Sequence, residues 1–191
     1  MKILLTGSNG QLGKAIIESK PNKFDLISTN RSFFNLENIE EFTEIIKDLK
    51  PHWIINAAAY TNVEKAESEE DLVNKINYKA LEGISDAINS YGGKLMQIST
   101  DYVFNGKKNY EYKTYDKKEP LNIYGKSKDL AEQSISKILR KNNQFMILRT
   151  SWLISPFGKN FLLTILNLLN TKDKIEVVND QFGSITSTFS L

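Results

Sequence analysis

Tyr124-Gly125-Lys126-Ser127-Lys128 places a phenol and an ammonium four residues apart. On a helix that spacing brings both side chains to one face, and the chain from here to about Arg140 carries a helical pattern. A free tyrosine has a pKa of about 10. A lysine charge ~4 Å away, at an effective dielectric of ~20, is worth roughly 4 kcal/mol. That would lower the phenol by up to about three pH units, towards the range where proton transfer is most effective. The pair therefore predicts a general acid. The same spacing is common on solvated helix faces, so the pair needs company. Ser99-Thr100-Asp101-Tyr102 supplies it upstream, with a second hydroxyl and a carboxylate.

Near the start of the chain, Gly7-Ser8-Asn9-Gly10-Gln11-Leu12-Gly13 stands directly between an apolar run and a helical pattern. That is the context a dinucleotide-binding turn requires, although the first glycine spacing is one residue longer than in the plain form. Gly7 permits a tight turn, Gly10 lets backbone approach a pyrophosphate, and Gly13 lets the helix pack close. The helix N-terminus adds N–H donors and the positive end of its dipole. The competing reading is a plain glycine turn. The end of the second strand chooses between cofactors: an acid there binds a ribose 2′-hydroxyl, and an arginine accommodates a 2′-phosphate. Here the residues are Thr29-Asn30-Arg31-Ser32, so Arg31 leans towards NADP unless it is simply a solvated arginine. Asn35 and Leu36 fall near the adenine. Ala57, Ala58 and Ala59, followed by Tyr60, leave room for ribose and phosphates, or else serve close strand–helix packing.

Positioning these groups falls to alternating strands and helices. Residues 2–6 read as a buried strand stopped by glycine, with helical character following over 14–19. Further strands are predicted over 24–29, 53–56, 94–99, 144–149 and 175–178. Helices are predicted over 36–49, ended by Lys50-Pro51, over 64–91 in two pieces, over 122–141 and over 161–169. Residues 105–120 form a long polar connection, functional or mobile. The alternation predicts an α/β fold, a Rossmann-like doubly wound parallel sheet with helices on both faces and right-handed crossovers. In such sheets ligands bind beyond the carboxyl ends of the strands. The glycine turn, residues 56–60, Thr100-Asp101 and Ser151-Trp152 all fall there.

Composition narrows the chemistry. The 191 residues suit one domain with a proper core. Lys plus Arg number 25 and Asp plus Glu 23, a net charge of +2, which argues against a nucleic-acid partner. There is no cysteine, which excludes disulfides, Cys-ligated zinc and thiol catalysis, and fits a reducing, cytoplasmic setting. With His52 the single histidine, no His-based metal site or Ser-His triad is expected, and no metal is assigned. Residues 3–5 are too short an apolar run for a signal peptide, and 161–169 is short and broken by Thr164 and Asn167, so no membrane partner is expected.

Several longer runs point further. They are the Gly7 to Gly13 turn; Asn56-Ala57-Ala58-Ala59-Tyr60-Thr61 with Val63 and Lys65-Ala66-Glu67; Ser99-Thr100-Asp101-Tyr102-Val103-Phe104-Asn105-Gly106; the Tyr124 to Lys128 run; Arg149-Thr150-Ser151-Trp152; Gly158-Lys159-Asn160-Phe161; and Val177-Val178-Asn179-Asp180-Gln181-Phe182-Gly183-Ser184. Together, over almost the whole chain, they resemble the extended short-chain dehydrogenase/reductase family. The resemblance implies an oxidoreductase using NADPH or NADH to reduce the 4-keto group of a nucleotide sugar, dTDP-4-dehydro-L-rhamnose, in dTDP-L-rhamnose biosynthesis. It implies that Tyr124 protonates the C4 carbonyl oxygen, that Thr100 hydrogen-bonds the same oxygen, and that Lys128 holds the nicotinamide ribose and depresses the Tyr124 pKa. The cofactor would then touch Tyr124 and Lys128 as well as Gly7, Asn9, Gly10, Gln11, Leu12, Gly13, Arg31, Asn35, Leu36, Ala57, Ala58, Ala59 and Tyr60. Asp101, Tyr102, Val103, Phe104 and Trp152 would line the sugar site, and Asn77 would order the lysine through water.

Two departures from the family pattern stand out. The family carries a C-terminal lobe that grips the nucleotide sugar, whereas this chain stops at Leu191 and has Ile185 where proline is usual. Residues 1–191 are therefore read as one NAD(P)-binding Rossmann-like domain with the substrate lobe truncated, its substrate-binding part incomplete from about 151. Asn35 stands where the family often has an acid. An uncovered 161–169 segment, apolar nearly all round, would promote self-association, a homodimer being the simplest form. Alternatives are a non-catalytic NADP-binding regulatory subunit similar to the methionine adenosyltransferase beta subunit, an inactive truncated reductase, or an epimerase. A dehydratase is disfavoured because it needs an extra carboxylate pair where this chain has Asp101 alone.

Overall fold

Ile3, Leu4 and Leu5 are all buried, so the first strand, β1 (Lys2–Thr6), has cover on both faces, as a central parallel strand must. The computed structural model describes residues 1–140 and 143–191; Lys141, assigned above to the end of the tyrosine helix, lies outside the described residues. Around β1 lie β2 (Asp25–Ser28), β3 (Trp53–Asn56), β4 (Lys94–Thr100) and β5 (Phe145–Thr150). All pair in parallel, in the order β2-β1-β3-β4-β5. The α/β, Rossmann-like architecture read from the sequence is the one found.

The chain leaves β1 towards β2 through α1 (Gln11–Ser19), then returns across β1 to β3 through α2 (Ile39–Leu49). Right-handed crossovers in opposite directions put α1 on one face of the sheet and α2 on the other. α5 (Ala80–Asn89) and α6 (Ile123–Ile138) join α2. Their Phe42, Ile46, Ile84, Ile88, Ala131 and Ile135 close over Leu4, Ile54 and Leu95 of the strands to form the main core. The strand order reverses between β1 and β3, which makes their carboxyl ends the switch point of the sheet.

The differences from the sequence reading have physical causes. The helix predicted from 36 begins at Ile39, because Phe34 and Leu36 are buried from within a loop and extend the apolar stripe without extending the helix. The two-piece helix over 64–91 is four segments: α3 (Val63–Ala66), α4 (Glu70–Asn74), a π-helical turn (Lys75–Lys79) and α5. Residues 175–178 are not a strand. Val177 and Val178 are exposed with no strand beside them, and β-branched residues favour a strand only where a sheet offers a surface to pack on. The pairing in that part of the chain is instead a short parallel ladder between β6 (Leu153–Ile154) and β7 (Thr186–Ser187). α7 (Phe161–Leu169) has the predicted bounds and is capped by Asn160, yet none of its residues is buried. The polar connection 105–120 is pinned rather than loose. Phe104 stacks on Tyr112, the Asn105 amide donates to Glu119 at 2.6 Å, and Arg149 Nη1 donates to the Thr114 carbonyl at 3.0 Å. Among the described residues no helix is long and apolar enough to cross a membrane.

Candidate functional site

At the switch point a buried polar chain aligns three strand ends. The Thr6 hydroxyl donates to Asn56 Oδ1 at 2.5 Å, and Asn56 Nδ2 donates to Gln97 Oε1 at 2.8 Å. Just beyond, Gly7 has a φ of +69°, and a Cβ there would lie 2.7 Å from the Ala58 nitrogen. The glycine turn therefore sits directly against the small residues that follow β3. α1 begins at Gly10 with no side-chain cap. Its first N–H groups and the positive end of its dipole are left for a ligand, and the uncapped donors fit an anion such as a pyrophosphate.

A cleft of about 710 Å³ opens here and runs to the catalytic candidates. That is an ordinary size for a small-molecule site. Its walls include Gly7, Asn9, Gly10, Gln11, Leu12, Arg31, Asn35, Leu36, Ala57, Ala58 and Ala59 from the expected cofactor set, and Thr100, Asp101, Tyr102, Tyr124, Lys128 and Trp152 from the reactive end. Four expected site residues are not on the wall. Gly13 serves packing: a Cβ there would lie 2.2 Å from the Gly7 carbonyl oxygen. Tyr60 turns its hydroxyl to Glu69, donating at 2.6 Å. Val103 is fully buried in the short turn after β4. Phe104 is held between the Tyr112 ring and the Arg149 guanidinium.

Tyr124 and Lys128 both line the cleft, but they do not act on each other as the spacing suggested. Lys128 Nζ donates to the Ile98 carbonyl at 2.7 Å, turned towards the sheet. Burial lowers its pKa to about 8, with Glu132 resisting. The Tyr124 pKa is pushed up to about 12 rather than down. Burial is the main cause; the Asp101 carboxylate and the Tyr102 phenol push the same way, and the Thr100 hydroxyl pulls against them. Lys128 is not among the groups that set the phenol's pKa: releasing its own proton at about 8, it is neutral before the phenol titrates. Thr100 donates to Asp101 Oδ1 at 3.1 Å and accepts from the Tyr102 N–H at 3.2 Å. Burial also raises the Asp101 carboxyl.

Local chemistry explains how α6 presents the tyrosine. Asn122 Oδ1 caps the helix by accepting from the Gly125 N–H at 2.7 Å, and Glu67 accepts from the Ile123 N–H at 2.8 Å. Gly125 is needed for close approach, since a Cβ there would lie 2.3 Å from the Tyr102 carbonyl oxygen. The Tyr102 and Tyr124 rings meet edge to face at 5.8 Å. Trp152 reaches the cleft from a backbone φ of +43°, a conformation rare for a bulky residue, with Gly183 packed against its ring.

Other residues also shape the site. Asn77, expected to reach the lysine through water, hydrogen-bonds directly to Tyr60 and Ser127. It accepts from the Tyr60 N–H at 2.8 Å and donates to the Tyr60 carbonyl and to Ser127 Oγ, which donates to the Tyr124 carbonyl. The π-helical turn that carries it is of the kind that often marks a functional position. Glu132 is buried and receives both Arg149 Nε and Nη2, at 2.9 and 2.7 Å, and Ser99 Oγ at 2.6 Å. Gly158 lies against Gln11 and brings Lys159 to the wall beside the glycine turn. Glu37, on the cleft wall next to Asn35 and Leu36, pairs with Arg31.

Comparison with known proteins gives a consistent picture. The RmlD substrate binding domain family matches residues 1–191. A dTDP-4-dehydrorhamnose reductase of Aggregatibacter actinomycetemcomitans is 35% identical over 187 residues, covering 97% of this chain and 63% of that protein. Among solved structures, a dTDP-4-dehydrorhamnose reductase from Clostridium acetobutylicum is 38% identical with a TM-score of 0.93, over 99% of this chain and 66% of the other. The enzyme of that name from Bacillus anthracis, solved in complex with NADP, is also 38% identical, with a TM-score of 0.92, over 98% of this chain and 66% of the other. The chain thus spans about three fifths of the length of the curated relatives it matches.

Proposed function

This chain belongs to the RmlD substrate binding domain family, and from that premise we propose that it carries the cofactor site and catalytic groups of an NAD(P)H-dependent reductase acting on the 4-keto group of dTDP-4-dehydro-L-rhamnose. The observation that carries the proposal is one cleft joining an uncapped glycine-turn helix to Thr100, Tyr124 and Lys128. The glycine turn and Ala57 to Ala59 would hold the pyrophosphate and ribose, and Lys128 the nicotinamide ribose. NADPH or NADH, when bound, supplies the hydride that reduces C4.

The chain's own part is proton delivery. Tyr124, with a pKa of about 12, stays protonated at neutral pH. It gives that proton to the carbonyl oxygen as alkoxide charge develops, and regains one from solvent. Thr100, now turned to Asp101, would rotate its hydroxyl to donate to the same oxygen. Asp101, Tyr102 and Trp152 would face the sugar. Val103 and Phe104 would support that wall from behind, and Gly13 and Tyr60 the cofactor turn. Residues from about 151 onward belong to the substrate-binding part in this reading. Lack of cysteine and a reduced nucleotide cofactor support a cytoplasmic setting.

The test is NADPH oxidation with dTDP-4-dehydro-L-rhamnose by this chain and by Tyr124→Phe, alongside NADPH binding to both. Turnover in the parent chain and its loss in the variant, with binding retained, is the expected result. Equal rates in the two chains refute the role of Tyr124. Tight NADPH binding with no turnover in either would favour a non-catalytic NADP-binding module.

A further inference from the structure

The adenosine end of the cleft holds a charge pair built into the loop between β2 and α2. Phe34 and Leu36 are buried, and Phe34 stacks on Phe42 of α2 at 5.1 Å. Asn30 Oδ1 accepts from the Ser32 N–H at 3.0 Å, and Asn35 Oδ1 accepts from the Glu37 N–H at 3.1 Å. Two side-chain-closed turns and two apolar anchors therefore fix the loop. They set Arg31 and Glu37 on one rim of the cleft, where Arg31 Nη2 donates to Glu37 Oε1. The Arg31 side chain is 76% exposed and that of Glu37 only 24%. The carboxylate is the fixed member of the pair and the guanidinium the movable one.

The end of β2 normally carries the acid that accepts a ribose 2′-hydroxyl. This chain has Thr29-Asn30-Arg31-Ser32 there and no carboxylate. We propose that Glu37 supplies that acid from the far end of the loop, and that the Arg31–Glu37 pair sets the choice between NADPH and NADH. The inference rests on the cofactor reading above and deepens it. With NADH, Glu37 accepts the 2′-hydroxyl. With NADPH, the 2′-phosphate takes Arg31 away from Glu37, because a phosphate carries more charge and accepts the guanidinium fork in two bonds, while an exposed carboxylate pair is weak. Glu37 therefore opposes NADPH twice, by holding Arg31 and by its own charge. Both dinucleotides can bind, and Glu37 moves the balance towards NADH.

Titration calorimetry with NADP+ and NAD+ tests this without turnover, on the parent chain, Glu37→Gln and Arg31→Ala. Glu37→Gln should raise the NADP+ to NAD+ affinity ratio about fivefold, the scale of an exposed charge contact. Arg31→Ala should lower the ratio about tenfold or more, through loss of NADP+ affinity. A loop merely loosened by substitution weakens both ligands together and leaves the ratio unmoved. A ratio that is unchanged or lowered in Glu37→Gln overturns the inference while the cofactor reading stands. If the parent chain binds neither dinucleotide, both are overturned.

Discussion

Lys128→Met should make this protein more stable while removing any turnover it has. Lys128 is 3% exposed, and burial lowers its pKa from 10.5 to about 8. At neutral pH the folded chain still carries the charge and bears the full desolvation penalty, which for that displacement is about 3 kcal/mol. Methionine is similar in length and carries no charge. It leaves the Ile98 carbonyl, now 2.7 Å from Lys128 Nζ, without its donor, a loss of about 1 kcal/mol. The net gain near neutrality is therefore about 2 kcal/mol, or roughly 4–8 °C in melting temperature for a chain of this size. Its pH dependence is the sharper check. The unfolded lysine keeps its proton up to about 10.5, while the folded one releases it above about 8. Between those values the unfolded state binds more protons, so wild-type stability rises with pH relative to the variant. The gap between the two chains should be largest near pH 7 and smaller near about pH 10. Urea unfolding of both chains at the two pH values measures it, and the titration of Tyr124, shared by both, cancels. A variant less stable than the wild type near neutrality, or a gap that does not narrow in base, would refute the argument.

Two other perturbations read different features. Gly13→Ala would drive a methyl to 2.2 Å from the Gly7 carbonyl oxygen, and should cost about 3 kcal/mol or more with loss of dinucleotide binding. Gly106→Ala, at a φ of +70° with open space around it, should cost only about 1–2 kcal/mol and spare binding; urea unfolding and calorimetry distinguish the two, and equal costs would refute the packing account. On α7, Phe161, Leu162, Leu166 and Leu169 are 66%, 44%, 48% and 62% exposed. The chain should self-associate at micromolar concentration, with Leu166→Glu shifting it towards monomer; sedimentation showing a clean monomer throughout would end that expectation.

The sheet and the cleft were legible because their signals are local. An apolar run stopped by Gly7 reads as a strand wherever it occurs, and the glycine turn that follows lines the cleft where its spacing placed it. The same holds for Trp53–Asn56 and for α7, whose bounds were found as expected. What escaped depends on partners distant in sequence. Leu36 looked helical because core contact was mistaken for helical period. Val177 and Val178 looked like a strand because propensity is blind to whether a neighbour is available. Tyr60, Val103 and Phe104 share runs with cleft residues, yet their side chains follow other contacts: Glu69, the core, and the Tyr112–Arg149 sandwich. Glu37 carried no signal, because an acid six residues after an arginine is ordinary until a loop folds them together.

The Tyr124–Lys128 spacing misled for a reason that bears on the whole site. Four residues apart on α6 does put both groups in the cleft, but a long side chain chooses its partner by what is buried near it. One turn further along the same helix stands Glu132, the obvious counter-ion. It is taken: Arg149 grips both of its oxygens, Ser99 and Lys118 add to them, and together they hold its carboxyl below the ordinary value although burial alone would raise it. That cluster ties α6 to β4, to β5 and to the 105–120 connection, and so fixes where the helix stands. Lys128 is left with one backbone carbonyl and a distant carboxylate field, a buried cation with less compensation than it needs. A fold selected only for stability would replace it. Undercompensated ionisable groups in clefts are expected where chemistry rather than packing dictates the residue, and a buried lysine in the cleft that also holds Tyr124 fits the carbonyl reduction proposed above.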